Sequence, residues 1–157
     1  MVHTLVATAD QIAERAHASQ RDKAGQPYIG HLQRVGSYVD QANPDAIAAA
    51  LLHDFLEDRA GTAADLIAAG IPHRVVSVVE ALDRTNKPAE EYYAEIRRDP
   101  VALEVKLADL ADNTDPDRLA QLPTATVDRL IAKYKAAYEQ LGVDFNDGQR
   151  RRNRVPR

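Results

Sequence analysis

The 157-residue chain predicts an all-α fold, and three observations carry that expectation. Apolar residues recur at helical spacing along most of its length, and no segment shows the strict alternation of a half-buried strand. Asn43-Pro44, Asp99-Pro100 and Asp115-Pro116 each join a capping side chain to a proline suited to the first helical position. The 27 alanines, set against 2 phenylalanines and no tryptophan, favour many closely packed helices over large aromatic anchors.

Taken in order, the periodicity predicts helices near 3–18, 30–41, 44–57, 62–69, 73–82, 88–98, 100–114 and 124–141. A short helical turn is expected at 116–121. Thr62 and Thr124 read as further caps, and Gly70 and Gly142 as helix stops. The stretch "SQRDKAGQPYIG", 19–30, is the longest loop, rich in residues that break helices, and it delivers the chain to His31. These elements amount to one domain over 1–142, followed at 143–157 by an arginine-rich, flexible tail. His3 is expected in a frayed terminus.

Charge is unevenly placed. Residues 1–141 carry 15 basic and 22 acidic side chains, a net of −7, whereas "RRRNRVPR" at the end holds five arginines. The acidic body argues against nucleic acid as the main partner, because neutralising phosphates needs a cationic face. The tail is expected to be solvated. No run approaches the roughly 18–20 apolar residues of a membrane span. The N-terminus lacks the layout of a signal peptide. With no cysteine, thiolate metal sites and disulfides are excluded, and a cytoplasmic location is the expectation.

Function is read from charges stranded among aliphatic residues. The 44–57 segment is apolar nearly all round, with Ile47, Leu51, Leu52, Phe55 and Leu56, and so belongs inside the bundle. Yet "AALLHDFLED" ends with His53 and Asp54, then Glu57 and Asp58. Continuous helical spacing would set Glu57 one turn above His53 and Asp58 one turn above Asp54. "VALEVKLADLADN", 101–113, repeats the anomaly with Asp109 in a second apolar helix. An ionised carboxylate in such surroundings costs several kcal/mol unless it is paired or binds a metal. His31, His53, Asp54 and Asp109 would together offer two nitrogens and two oxygens, a set suited to Mn²⁺, Fe²⁺ or Zn²⁺.

Those residues carry a resemblance to a known family. "AHASQRDKAGQPYIGH", "AALLHDFLED", Thr62 with Leu66, and "VKLADLADN" resemble, in order and spacing, the HD-domain phosphohydrolases. More narrowly they resemble the hydrolase domain of RelA/SpoT-type alarmone enzymes and their small stand-alone relatives. The resemblance implies an HD helical bundle and one metal, usually manganese, held by His31, His53, Asp54 and Asp109. It implies that Glu57 and Asp58 help activate the attacking water, that Lys23 contacts substrate and that Asn113 lines a nucleotide pocket. The family reaction removes pyrophosphate from the ribose 3′ position of (p)ppGpp. Another nucleotide or phosphoester is the alternative substrate, and a non-catalytic nucleotide-sensing module the alternative function. The resemblance covers no alarmone synthetase segment.

Two positions depart from the family pattern. Asp22 and Asp115 stand where the family has arginines, each replacing a cation with an anion near the expected nucleotide. Each change could forfeit a charge-assisted contact of about 1.5–3 kcal/mol. Lys106, three residues before Asp109, reads either as a phosphate contact or as an ion-pair partner. His17 is expected to hydrogen-bond structurally and His73 to be exposed. Tyr92 and Tyr93 are expected to divide between core and surface, and Tyr134 and Tyr138 to pack.

Overall fold

The computed structural model describes residues 2–156, with the side chains of Val2 and His3 outside that description, so the expectation for His3 falls outside the described residues. The architecture is α throughout: α1 (Val2–Ala16), α2 (Tyr28–Ser37), α3 (Pro44–Leu52), α4 (Ala63–Ala68) and α5 (His73–Ala81) form the first half. The second half comprises α6 (Ala89–Arg98), α7 (Pro100–Asn113), α8 (Pro116–Leu119), α9 (Thr124–Leu141) and α10 (Asp147–Asn153). No strand occurs among the described residues; one isolated bridge joins Arg21 to Pro27 across the loop before α2.

The Asx-Pro signals do what the sequence predicts. Asn43 accepts from Ala46 N–H, Asp99 from Val101 and Ala102, and Asp115 from Asp117. Thr62 and Asp65 form a reciprocal capping box at α4. Gly142 ends α9 in the left-handed conformation at φ 68°, where an L side chain would be strained. Thr124 departs from the prediction: it is the first residue of α9 and Pro123 occupies the cap position, with no side-chain bond to the free N–H groups.

α3 is the hub, packed by α1, α2, α5 and α7. Its alanines 46, 48, 49 and 50 are fully buried, which lets neighbouring backbones approach closely, and Leu52 beside them is equally inaccessible. Truncating such a leucine to alanine costs about 2–5 kcal/mol. α7 lies against α2, α3, α6 and α10. The two aliphatic helices that carry the anomalous charges are therefore neighbours in the centre.

The C-terminal segment corrects the sequence reading. Instead of a solvated tail, 147–153 forms α10 against α7. Arg151 is buried and reaches Glu104 Oε1 at 3.1 Å, Asp147 Oδ2 at 2.8 Å and the Tyr38 carbonyl at 3.3 Å. Arg152 donates to the Ala111 carbonyl at 2.6 Å and to Thr114 Oγ1 at 3.2 Å. Arginine clusters at chain ends are ordinarily solvated, but here fixed carboxylates and helix-end carbonyls await two of the guanidinium groups. Among the described residues no helix is long and apolar enough to cross a membrane.

Candidate active site

α3 stops at Leu52, five residues before the predicted end, and tight turns carry the chain to Arg59, which takes a positive φ of 57°. The switch begins where His53 N–H reaches back only three residues, to the Ala50 carbonyl, and His53 Nδ1 bonds the same oxygen at 2.6 Å. Phe55 N–H also bonds three residues back, to Leu52. This tightening separates the acidic pair that a continuous helix would have stacked on His53 and Asp54. Glu57 Oε1 accepts from the Arg84 backbone N–H at 3.0 Å, while Asp58 Oδ2 accepts from Gln20 Nε2 at 3.0 Å.

The predicted ligand set converges. His31, His53 and Asp54 are buried and place one candidate ligand atom each within 4.8 Å of the others. Asp109, also buried, sets Oδ1 3.1 Å from His31 Nε2 and 3.3 Å from His53 Nε2. His53 Nε2 is in turn 3.2 Å from Asp54 Oδ2. Each imidazole is oriented from its far side. His31 Nδ1 bonds Asp112 Oδ2 at 2.7 Å, and His53 Nδ1 bonds Ala50 O. With Nδ1 as the donor, each imidazole in its neutral form would turn an Nε2 lone pair toward the cluster, the arrangement a metal requires.

Two further observations test the fit of a cation. His53 Nε2 is buried and has no hydrogen-bond partner, although two carboxylates lie nearby. The local field also favours positive charge. Burial alone would lower the His53 pKa, but the Asp54 and Asp109 carboxylates override it and raise the imidazole to about 10. Asp109 moves the other way. Burial opposes its ionisation, yet Lys106 and the two imidazoles hold it well below the usual carboxylate range. His31, His53 and Asp54 form a group that could hold a metal ion, and Asp109 Oδ1 lies beside both imidazoles.

The partners of this cluster went largely unseen in the sequence. Asp112, fully buried, accepts from His31, from Arg34 at 2.7 and 3.1 Å, and from Arg118 at 2.8 Å. Tyr28 donates a short hydrogen bond to Asp54 Oδ2. Burial and the adjacent Asp54 carboxylate push the Tyr28 hydroxyl pKa upward, so it stays a donor. Asn113 lines the cavity beside this cluster, and its amide donates to Asp109 Oδ1 at 3.1 Å. Lys106 Nζ lies 3.3 Å from Asp109 Oδ2, so the ion pair that the spacing allows is present.

A cavity of about 480 Å³ opens beside the cluster, within the range of ligand sites. Glu57, Asp54, His31 and Asp109 lie on its floor, while Asp58 is absent from its lining. One end is apolar, formed by Leu119, Leu122, Leu130 and Ala137 with Tyr134. Lys23, Arg84, Lys106 and Lys133 converge on the space. Burial, followed by repulsion from Lys23, Lys106 and Arg84, lowers the Lys133 pKa. Tyr92 and Tyr93 are both buried, contrary to the expected division, and both rings carry the Arg84 guanidinium at 5.3 and 5.6 Å. Partial burial of Glu57 in the cavity lining raises its carboxyl pKa against the lowering effect of the Arg84 N–H. Arg84, in the loop between α5 and α6, and Lys133, on α9, lacked any sequence signal, since a cation in a loop or on a helical surface is ordinary.

The two departures from the family pattern now have partners. Asp22 Oδ1 accepts from Ala24 and Gln26 N–H within its own loop, and Oδ2 pairs with Arg118 at 3.1 Å. Asp115 is occupied as the cap of α8. His17 is buried and bonds Gln20 Oε1 at 2.6 Å, the structural role expected, and His73 is exposed.

A central pair of aliphatic helices, a cluster of imidazoles and carboxylates that could hold a metal ion, and a cation-lined cavity define an all-α protein with a polar centre. Residues 9–123 match the family described as the HD domain, and the chain belongs to that family. It is 34% identical over 116 residues to a guanosine-3′,5′-bis(diphosphate) 3′-pyrophosphohydrolase of Aquifex aeolicus, covering 67% of this chain. A probable enzyme of the same description from Synechocystis is 32% identical over 71% of the chain, and a probable GTP pyrophosphokinase of Mycobacterium leprae 31% over 70%. The matched region spans only 15–16% of those relatives' own lengths.

Proposed function

We propose that the protein is a nucleotide phosphohydrolase acting with one divalent cation, Mn²⁺ in the first instance, and that its substrate carries a 3′-pyrophosphate as (p)ppGpp does. The observation that carries this reading is the pair of Nε2 atoms, each locked from its Nδ1 side, meeting Asp54 and Asp109 on the floor of a cation-lined cavity. The relatives' activity supports the choice of substrate.

His31, His53, Asp54 and Asp109 would hold the metal. When bound, the cation supplies Lewis acidity toward a phosphoryl oxygen and eases deprotonation of water. Glu57 is the general base. The Arg84 N–H fixes one of its oxygens, and its raised carboxyl pKa makes it a better proton acceptor than an ordinary surface glutamate. Water attacks the phosphorus next to the ribose, Glu57 takes the water's proton, and the P–O bond to the ribose breaks to release pyrophosphate. The ribose oxygen leaves as a hydroxyl by taking a proton from solvent, to which Glu57 returns its own. Asp58 acts from outside the cavity by holding Gln20 at the start of the substrate loop. Lys23, Arg84, Lys106 and Lys133 balance the phosphate charges, which an acidic floor would otherwise repel. The apolar end with Tyr134 receives the base, beside Asn113.

The test is to load the purified protein with Mn²⁺ and follow pyrophosphate or phosphate release from guanosine and adenosine nucleotides with and without 3′-phosphates. Release is expected from a 3′-pyrophosphorylated nucleotide, with none from Asp54→Ala or Glu57→Ala. A parent protein that binds metal yet leaves every nucleotide intact would contradict the reading.

A further inference from the structure

The loop that carries Lys23 is a closed unit. Tyr28 N–H bonds the Gln20 carbonyl at 2.9 Å, Asp22 and Gln26 bond backbone to backbone at 2.9 Å, and Gly25 takes a φ of 79° that closes the turn. Lys23 itself is exposed. The loop's side chains meet the rest of the protein at three acidic or basic positions: Gln20 on Asp58, Tyr28 on Asp54 and Asp22 on Arg118. The first two ties run to the α3 side of the cavity. The third crosses to α8, where the same guanidinium also grips Asp112, the carboxylate that bonds His31 Nδ1.

We propose that Arg118 is a positioning residue that couples the substrate loop to the metal ligand His31, through Asp22 on one side and Asp112 on the other. The inference deepens the hydrolase reading above and rests on it for the meaning of Lys23 and His31. The geometry separates two duties. Nη2 holds Asp22 Oδ2 at 3.1 Å and thereby sets where Lys23 stands over the cavity. Nη1 holds Asp112 Oδ2 at 2.8 Å, on the oxygen that orients the imidazole. Arg34 takes the other Asp112 oxygen at 2.7 Å, so this buried carboxylate keeps a cation even when Arg118 is removed. A lysine could not serve both partners, because one ammonium lacks the planar fork that reaches two carboxylates at once. The pairing also accounts for an aspartate at position 22, since its charge is met within the protein and is not presented to a phosphate.

Two substitutions separate the duties. Asp22→Asn keeps the acceptor for the Ala24 and Gln26 N–H groups and replaces the charged acceptor facing Arg118 with an amide NH₂, whereas Arg118→Gln weakens both connections. Hydrogen exchange of the 21–26 amides and titration with Mn²⁺ alone are the readouts, with circular dichroism to verify folding. Both variants should exchange faster in 21–26, by about tenfold, since a local anchor has been lost. Only Arg118→Gln should also bind Mn²⁺ more weakly, by about 10-fold or more, the usual cost of losing support behind a ligating histidine. Once a substrate is in hand, the loss in Asp22→Asn should fall on KM. Unchanged exchange in either variant, or equal Mn²⁺ affinity in the two, would overturn the proposal. Absence of turnover by the parent protein would sink the hydrolase reading while leaving both measurements valid.

Discussion

The floor and the rim of the cavity are built on opposite principles. His31, Asp54 and Asp109 on the floor, and His53 beside them, are buried, and each of the four has a neighbour that fixes its direction: Asp112 for His31, Tyr28 for Asp54, Asn113 with Lys106 for Asp109, and the Ala50 carbonyl for His53. At the rim, Lys23, Arg84 and Lys133 form no ion pair among the described residues, and they repel one another across open space. A floor of this kind is rigid and indifferent to what enters. A rim of mutually repelling cations is relieved only by an anion, so it selects the ligand. Chemistry and selectivity are thereby assigned to different residues, and substitutions should divide accordingly.

The largest effect should come from the floor. Asp109→Ala or His53→Ala should reduce hydrolysis by about 10³-fold or more, because the loss removes both a ligand and its charge, and addition of EDTA to the parent should do the same. Phosphate release measured with restored Mn²⁺ checks this, and retained activity in Asp109→Ala would erase the distinction between floor and rim. Glu57→Gln is next. Its rate should fall about 10²–10⁴-fold while Mn²⁺ affinity stays near that of the parent, since Glu57 is assigned to the proton and not to the metal.

Rim substitutions should be milder and of another kind. Arg84→Ala or Lys133→Ala should each raise KM about 10-fold, the equivalent of one charge-assisted contact, and the effect should shrink as salt is added. A fall in kcat alone would place these cations on the floor. Outside the cavity, Arg151→Ala should lower stability by about 2–3 kcal/mol in a denaturant titration, because Glu104, Asp147 and the Tyr38 carbonyl lose a shared buried partner. If 143–157 were solvated, the same substitution would change nothing.

The contrast also explains what could be read from the sequence. His53, Asp54 and Asp109 stand out because imidazole and carboxylate are costly among leucines and alanines, and the helices that carry them announce themselves through Asn43-Pro44 and Asp99-Pro100. The rim has no such contrast, since Arg84 and Lys133 look like any solvated cation until folding brings the α5–α6 loop, α6 and α9 around one space. Asp112 was hidden for a related reason. It sits where α7 meets its cap, beside Asn113 and Thr114, and an aspartate near a helix end draws no notice until Arg34 and Arg118 arrive from elsewhere in the chain. The early end of α3 was equally invisible, because apolar periodicity runs on through Phe55 and Leu56 while the backbone has already tightened around Ala50. Likewise, an arginine cluster at the C-terminus reads as solvated unless the sites that receive Arg151 and Arg152 are known.

Counting bound Mn²⁺ most directly tests whether those four inward-facing groups act as one chelate. Electron paramagnetic resonance titration of the parent protein should saturate at about one ion per chain, and Asp109→Ala should leave nearly all Mn²⁺ free under the same conditions. A parent that takes up no ion, or a variant that takes up as much as the parent, would contradict the account.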